Sequence, residues 1–363
     1  MELTVTNNSS PAPVLALHSP DGGTPILYIA GILNNADLRV EARRGTNGAL
    51  ITSFGSDGGV ASNSEGLAAR SIAADADSLF IGLSNDTTWR IHKRTRESGA
   101  LDNAFGVNGI LQGDGGLSSL AVGNGPDLYA VGWSHTDAGT EWVVERRNVG
   151  DGALEPSFGG GRASYRTATR GLERAHALVE LGTGQVLVGG ECNTPDGGRA
   201  CLVEYRADDA GVACAWVIPN STHLSKITSM ADNGNGALIG VEEQFGNWRL
   251  SETATECGLN SDTPMNYSGR SERPPSGSVA AVAVGVGTQF IAGRSENHWH
   301  IEAFTADGYP APVFGGRQSY HRVSGTGSAV TSLGVSGRTL YVAGWVETGV
   351  ARFWRIERLE TLP

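Results

Sequence analysis

Hydrophobic segments that end in glycine recur along this chain at nearly constant intervals. Seven such segments end at Gly31, Gly82, Gly132, Gly190, Gly240, Gly293 and Gly344, so successive glycines lie 50 to 58 residues apart. A fixed period near fifty residues is the signature of a repeat array. The longest interval contains an inserted stretch, Thr167–Arg174.

Each repeat contains four short segments that read as strands. A short apolar segment precedes the glycine-ended one, and a third segment alternates apolar and polar residues, which predicts a strand. A turn of the form Gly-x-Leu-x-x-x-Phe-Gly and a weaker fourth strand follow. Tryptophan opens the third segment in five repeats: Trp89, Trp142, Trp248, Trp299 and Trp354. Four-stranded antiparallel units repeated radially make a β-propeller.

The sequence therefore predicts an all-β protein, a seven-bladed β-propeller of four-stranded antiparallel blades in one domain over residues 1–363. The last repeat stops after its third strand, whereas an extra strand, Leu3–Asn7, precedes the first repeat. We expect this N-terminal strand to close the last blade, because closure removes an exposed sheet edge. The predicted blades are approximately residues 13–63, 67–113, 117–167, 175–222, 226–270, 278–323, and 328–363 together with 1–9.

Three segments, Ser98–Gly109, Gly150–Gly159 and Leu340–Arg358, carry the clearest copies of the repeat motifs. They include Gly-Ala-Leu-Asp-Asn-Ala-Phe-Gly-Val-Asn-Gly, Tyr-Val-Ala-Gly-Trp and Trp-Arg-Ile-Glu-Arg. In these motifs the chain resembles the delta-sixty repeat family of bacterial β-propeller-like proteins, over nearly its whole length and less closely in blades four and five. The resemblance implies an extracytoplasmic or surface protein. It implies no functional residues, because the family motif is structural.

Residues that occupy the same place in several repeats are interpreted as structural. Every tryptophan is expected to pack between adjacent blades, with Trp216 in the place of the motif's phenylalanine. One slot, three residues after the tryptophan position, repeatedly holds a carboxylate, and we interpret these groups as inter-blade ion pairs. They are Glu41, Glu145, Glu204, Glu302 and Glu357.

The four cysteines bear on whether the protein lies inside or outside the cytoplasm. Cys192 and Cys201 flank a loop at the end of one predicted strand and the start of the next, where a disulfide is sterically feasible. Two buried thiols are the alternative. Cys214 and Cys257 are a weaker candidate pair. The cysteine spacings match no zinc site. We expect no metal and no cofactor.

Charge and hydropathy narrow the choice of partner. The net charge of −11 argues against nucleic acid or an anionic membrane surface as the main partner. No apolar run is long enough for a transmembrane helix.

The first residues lack the basic and apolar regions of a signal peptide. Disulfides would favour an extracytoplasmic location, and a cytoplasmic protein is the alternative. We expect a monomer that binds a glycan or a protein.

The candidate site consists of residues that break the repeat. In a propeller, the loops between second and third strands share a face with the loops between blades, and this face is a common location for ligands. Arginine supplies planar donors for anions, and tyrosine offers a stacking face with a polar tip. The predicted ligand-binding residues are Arg166, Arg170, Glu173, Arg174, His176, His321 and Arg322. The alternative is that these are solvated loop charges.

The sequence thus favours a non-catalytic binding propeller outside the cytoplasm that recognises a glycan or a protein partner at that face. An enzyme at the mouth of the central channel is the first alternative. In such a lyase or hydrolase of an acidic substrate, His176 or His321 would act as base and Tyr165 or Tyr320 as acid. A structural surface protein without a small ligand is the second alternative.

Overall fold

The computed structural model describes most of the chain, and it is all-β. The described residues are 2–5, 12–19, 23–33, 37–167, 171–182, 184–195, 197–218, 225–243, 246–254, 277–322, 326–349 and 351–361. They form 27 strands and one 3-10 turn at Gly159–Gly161. No helix among them has the length and apolar character needed to span a membrane.

The first three blades each contain four antiparallel strands in chain order. Blade one consists of β2 (Val14–His18), β3 (Ile26–Leu33), β4 (Asp37–Arg44) and β5 (Gly59–Asn63). Blade two consists of β6 (Ala68–Ala74), β7 (Ser78–Ser84), β8 (Thr88–Thr95) and β9 (Ile110–Asp114). Blade three consists of β10 (Gly116–Val122), β11 (Asp127–Thr136), β12 (Gly139–Asn148) and β13 (Arg162–Tyr165).

The next three blades follow the same plan. Blade four consists of β14 (Arg174–Leu181), β15 (Gln185–Thr194), β16 (Gly197–Arg206) and β17 (Val212–Val217). Blade five shows β18 (Lys226–Asp232), β19 (Gly236–Glu242) and β20 (Trp248–Ala254), and residues 255–276, with the loosened motif around Gly258–Tyr267, lie outside the described residues. Blade six consists of β21 (Gly277–Gly285), β22 (Thr288–Ser295), β23 (His298–Thr305) and β24 (Ser319–Arg322).

The chain termini complete the ring. Blade seven consists of β25 (Gly327–Ser336), β26 (Thr339–Thr348), β27 (Ala351–Glu360) and, as its outer strand, β1 (Glu2–Val5). Strand β1 pairs antiparallel with β27, placing Leu3 opposite Ile356 and Val5 opposite Trp354. The first strands of successive blades contact one another from β2 round to β25 and back to β2. The predicted seven-bladed propeller and its closure by the N-terminal strand are both confirmed.

The core lies between the blades. Buried hydrophobic residues of the described chain form seven clusters, one at each boundary between neighbouring blades. The boundary between blades seven and one is built like the others, with Leu27 and Ile29 packed against Tyr341, Trp354 and Ile356. Because apolar burial is roughly proportional to the area removed from water, every blade is stabilised mainly by its two neighbours.

Tryptophans of the third strands span these boundaries. Trp142 is fully buried, and its Nε1 donates to the carbonyl of Glu191 in the next blade at 2.9 Å. Trp299 donates in the same way to the carbonyl of Trp345 at 3.1 Å. A Cβ atom on Gly31 would overlap the ring of Trp354, so the indole lies directly against glycine backbone. The predicted packing between blades is confirmed for these tryptophans.

Trp216 departs from its predicted place. It lies on β17, opposite Leu202, and not in the turn before the fourth strand. The turn in blade four is short, because Arg206 pairs with Asp209 at 2.9 Å and the strand resumes at Val212. The interpretation of Gly211–Trp216 as a copy of the phenylalanine motif is therefore wrong.

The repeated carboxylates are paired mostly within their own strand. Glu41 is held by Arg39 at 3.2 Å and by Arg43 at 2.8 Å. Glu145 is held by Arg147 at 2.8 Å. Residues two apart on a strand share a face, which brings each arginine beside its carboxylate, so the inter-blade interpretation is wrong for these two.

Glu357 is different, because it connects two blades. Arg355 of its own strand donates to it at 2.5 Å, and Arg322 of blade six lies 3.5 Å from it. The inter-blade interpretation therefore holds at this carboxylate.

The predicted disulfide is present. Cys192 and Cys201 are bonded, with Cα atoms 5.8 Å apart. They lie diagonally across the β15–β16 pair, because Cys201 is opposite Gly190 and Cys192 is opposite Arg199. No cysteine in the described part of the chain has a free thiol. The candidate pair of Cys214 with Cys257 involves Cys257, which lies outside the described residues.

Replacing Trp142 with Phe tests the inter-blade hydrogen bond. The change leaves the partly buried carbonyl of Glu191 without this donor, so we expect the free energy of unfolding to fall by about 1–3 kcal/mol. Urea unfolding followed by circular dichroism measures this loss. Trp345→Phe is the control, because Trp345 is half-buried and mainly stacks with Arg352, and it should cost less than about 1 kcal/mol. Equal losses in both variants would contradict the assignment.

Candidate functional site

We call the first strand of each blade its inner strand. One end of the blades carries the loops that join second to third strands and also the starts of the inner strands, and we call this end the upper face. The register places Arg174 opposite Glu191, Thr194 opposite Gly197, and Trp142 opposite Tyr165. Six inner strands carry a register shift near this end. A bulge takes a residue out of the ladder and twists the strand, and in blade four the displaced residue is His176.

The inserted loop before blade four is anchored by a buried carboxylate. Glu173 has no exposed surface, and it accepts hydrogen bonds from the backbone N–H groups of Thr167 at 3.0 Å and Asn193 at 3.4 Å. The Thr167 hydroxyl also donates to it. Buried carboxylates require such donors. Glu173 therefore holds the loop to blade four and does not face solvent.

Two residues that come just before the inserted loop, Arg166 and Tyr165, also have side-chain contacts within the protein. Arg166 donates to the hydroxyl of Thr136 at 3.0 Å and to the carbonyl of Ala138 at 2.9 Å. Tyr165 packs edge-on against Trp142 with ring centroids 5.6 Å apart. Burial, and then the charge of Glu173, raise the pKa of Tyr165. Arg170 lies outside the described residues.

Arg174 reaches from blade four over blade three to blade two. Its Cζ lies 4.6 Å from the centroid of the Trp133 indole, and its Nη1 lies 4.0 Å from Oδ1 of the exposed Asp86. Its Nε is buried and makes no hydrogen bond with the described residues. A guanidinium has five N–H donors in a rigid fork, so this side chain keeps donors available while stacking fixes its position.

Other charged groups converge on Glu191 beside it. His176 Nε2 lies 3.8 Å from Glu191 Oε1, which is beyond hydrogen-bonding distance. Burial alone would raise the pKa of Glu191, but His176, Lys226 and Arg174 together hold it below its ordinary value. Lys226 also pairs with Glu242 at 3.3 Å. The upper face of blades three to five is therefore a mixed-charge surface and not a simple basic patch.

A groove adjoins this surface between blades two and three. It encloses about 270 Å³, and both Trp89 and Trp133 line it. Exposed Gln112, Asp114 and Arg162 lie at the groove as well.

A short side chain accounts for the groove. Blade three has Val143 immediately after the strand's tryptophan, and this residue lines the cavity. At this position blades one, two, five and seven carry the longer Arg39, Arg90, Arg249 and Arg355.

The candidate residues of blade six lie elsewhere in the molecule, away from the inserted loop. Tyr320 and His321 are on β24, an outer strand. The Tyr320 hydroxyl donates to Glu357 at 2.6 Å, and burial followed by this bond raises the pKa of Tyr320 to about 12. Arg322 lies 3.5 Å from the same carboxylate. Nδ1 of His321 lies 2.9 Å from Nδ1 of His300.

The candidate residues therefore fall into two groups. Arg174 and His176 lie at the start of an inner strand in blade four, whereas Tyr320, His321 and Arg322 lie on an outer strand of blade six. Within the described ranges, no hydrogen bond joins His176 or His321 to a tyrosine. The same ranges hold no group of three or more His, Cys, Asp or Glu placed for a metal ion.

Sequence reasoning missed Asp86, Glu191 and the groove. The carboxylates Asp86 and Glu191 stand in ordinary-looking loop and strand-end positions, so nothing in the pattern singled them out. The groove had a readable signal. Aligning the repeats shows Val143 where four blades have arginine, and a short residue at a repeated long one predicts a gap.

Comparisons with known proteins identify no family for this chain. No protein-family model matches the sequence, and no curated protein matches it. Among solved structures, a putative glucose dehydrogenase from Thermus thermophilus is 14% identical, with a TM-score of 0.46 over 80% of this chain and 96% of that one.

Two further solved structures are similar at the same level. Aldose sugar dehydrogenase of Streptomyces coelicolor, in a PQQ-bound form, is 12% identical, with a TM-score of 0.48 over 80% of this chain and 94% of that one. BamB from Moraxella catarrhalis is 11% identical, with a TM-score of 0.41 over 95% and 100% of the chains. Identities this low say nothing about a shared ligand or reaction.

A buried histidine takes the place of the repeated carboxylate in blade two. His92 is 2% exposed, and neither ring nitrogen has a hydrogen-bond partner within the described chain. Burial, followed by the charges of Arg94 and Arg90, lowers its pKa from 6.5 to about 4. The native protein therefore holds His92 neutral at pH values where the unfolded chain protonates it.

This shift predicts loss of stability in mild acid. Because the folded pKa lies below the unfolded one, the stabilisation is complete above pH 6.5 and is lost as the pH falls towards 4. A difference near 2.5 units corresponds to about 3 kcal/mol. Urea unfolding at pH 7 and pH 4.5 should show a smaller pH dependence in His92→Leu. His135→Leu, which removes an exposed histidine, should keep the wild-type dependence, and an unchanged dependence in His92→Leu would refute the assignment.

Proposed function

We propose that this chain is a non-catalytic binding propeller outside the cytoplasm, which recognises an acidic glycan on the upper face around Trp133. The observation that carries the proposal is Arg174, which is stacked on Trp133, lies 4.0 Å from the exposed Asp86, and has an Nε without a hydrogen-bond partner among the described residues. Unsatisfied donors at a partly buried position are costly, and a carboxylate or sulfate would satisfy two of them at once.

The adjoining groove supports a sugar as the bearer of that anion. A sugar ring has apolar C–H faces that suit indole walls and hydroxyls that suit side chains such as Gln112 and Asp114. A volume of about 270 Å³ is just below the range of about 300–1,000 Å³ for sites of drug-sized ligands. The groove is thus sized for a single sugar unit of a longer chain.

The candidate catalytic side chains already have partners within the protein or lie far apart, and this favours binding over catalysis. General acid–base chemistry needs an acid and a base that reach one substrate. Tyr320 already donates to Glu357, Tyr165 is packed against Trp142, and His176 and His321 lie in different blades. A lyase or hydrolase is the alternative function, and turnover of the bound glycan would identify it.

The location outside the cytoplasm is proposed from the disulfide. The Cys192–Cys201 bond stabilises the strand pair that ends beside the inserted loop, and disulfides persist mainly in oxidising compartments. A protein partner that presents an acidic side chain would use the same guanidinium, so a peptide panel belongs in the test.

Arg174→Ala tests the proposal. We expect oligosaccharides with uronic acid or sulfate groups to raise the melting temperature of the wild-type protein, and neutral oligosaccharides to raise it less. Removing the guanidinium should weaken binding of the acidic oligosaccharide about 10–100-fold, because a charged hydrogen bond contributes about 1.5–3 kcal/mol. Isothermal titration calorimetry measures this ratio.

Arg352→Ala is the matched control, since Arg352 stacks on Trp345 at 4.1 Å in blade seven. It should bind the acidic oligosaccharide like the wild type. Equal weakening in both variants, or equal binding of acidic and neutral oligosaccharides, would contradict the proposed site.

A further inference from the structure

Blade six contains a pair of histidines that the proposed function does not use. His300 on β23 is opposite His321 on β24, and their Nδ1 atoms lie 2.9 Å apart. His300 is 4% exposed, whereas His321 is exposed to solvent. His300 occupies the position after the strand's tryptophan where four other blades carry arginine. The repeat is therefore broken here as well, and by a side chain that can bind a metal.

A carboxylate fixes the orientation of the inner ring. Nε2 of His300 lies 2.7 Å from Oε1 of Glu302, which is two residues along the same strand and 5% exposed. The carboxylate accepts a hydrogen bond from the Nε2–H group, so the lone pair of His300 is on Nδ1 and faces His321. A histidine that donates one N–H to a carboxylate while its other nitrogen faces a ligand position is the usual arrangement in metal sites.

The outer ring is suited to complete the site. An ion about 2.0–2.1 Å from both nitrogens in tetrahedral geometry would separate them by about 3.3–3.4 Å. The two nitrogens would have to move apart by about half an ångström and the His321 ring would have to turn its Nδ1 towards the ion, and the exposed His321 can supply both movements.

We infer that Nδ1 of His300 and Nδ1 of His321 form a two-histidine site for a divalent late transition metal, with Glu302 positioning His300. Imidazole nitrogen suits Cu²⁺, Ni²⁺ and Zn²⁺, with Cu²⁺ expected to bind most tightly. When the ion binds Nδ1 of His321, this ring takes the tautomer with its proton on Nε2. The imidazole therefore stays neutral, and no proton is released. Two protein nitrogens leave the remaining coordination positions to water.

This site is separate from the proposed glycan site. It lies on the two outer strands of blade six, and Trp248 of blade five packs edge-on against His300 with centroids 5.1 Å apart. Arg174 and Trp133 belong to blades four and three. Failure of either proposal therefore leaves the other standing.

Titration of the metal-free protein with Cu²⁺ and Zn²⁺ tests the inference. We expect one saturable equivalent of Cu²⁺ to quench tryptophan fluorescence, because Trp248 lies beside His300, and Zn²⁺ to bind more weakly and raise the melting temperature. His321→Ala should weaken binding of both ions at least tenfold. His135→Ala, which removes an exposed histidine in blade three, should bind like the wild type.

Glu302→Gln separates a metal site from a simple histidine pair. Loss of the carboxylate that orients His300 should weaken metal binding about 10–100-fold while leaving His321 in place. The inference is overturned if the wild-type protein shows no saturable binding of either ion, or if His321→Ala binds both as tightly as the wild type. In that case the two histidines form only a hydrogen bond with each other.

Discussion

The contact between a tryptophan of one blade and a glycine of the next is the constraint on which this ring depends. The indole of Trp354 lies against Gly31, and the indole of Trp299 lies against Gly344, so that a Cβ atom on either glycine would overlap the ring. Without a side chain on the glycine, the indole comes close to the backbone of the neighbouring sheet. The same contact joins blade seven to blade one, so the seam between the ends of the chain is packed like any other boundary.

This contact also explains where chemistry can occur. Buried apolar residues fill each boundary, joined by a third-strand tryptophan at five of the seven, which leaves function to the positions where a blade departs from the repeat. In blade three, Val143 in place of arginine opens the groove beside Trp133. In blade six, His300 at the same position meets His321. The inserted loop before blade four, held by the buried Glu173, brings Arg174 over Trp133.

The fold could be predicted from the sequence because its determinants recur. A period near fifty, a tryptophan slot and a strand missing from the last repeat together predict seven blades and the role of the N-terminal strand, which the structure shows at Glu2–Val5. The Cys192–Cys201 bond followed from two strand ends. The site was less accessible to the same reasoning. Residue types on one face do not reveal which side chains are already engaged, and Arg166, Glu173 and Tyr320 all prove to be engaged by the protein.

Several interpretations failed because local contacts within a blade decided where a side chain lies. Residues two apart on a strand share a face, so Glu41 and Glu145 found partners within their own strands before any partner across a boundary. A tight turn closed by Arg206 and Asp209 moved Trp216 out of its expected slot. The position of a residue within the repeat predicts well where its backbone lies. It predicts the contacts of the side chain only where the partner residue is also present in each repeat.

The most direct test of the central contact is a double-mutant cycle between Gly31 and Trp354. Gly31→Ala should lower the free energy of unfolding by about 1–3 kcal/mol in the wild-type background, because the added methyl group has no room beside the indole. In the Trp354→Leu background the same substitution should cost less than about 0.5 kcal/mol, since the ring that it meets is gone. An equal cost in both backgrounds would show that the glycine is needed for its own backbone and not for the tryptophan, and would contradict this account of the ring.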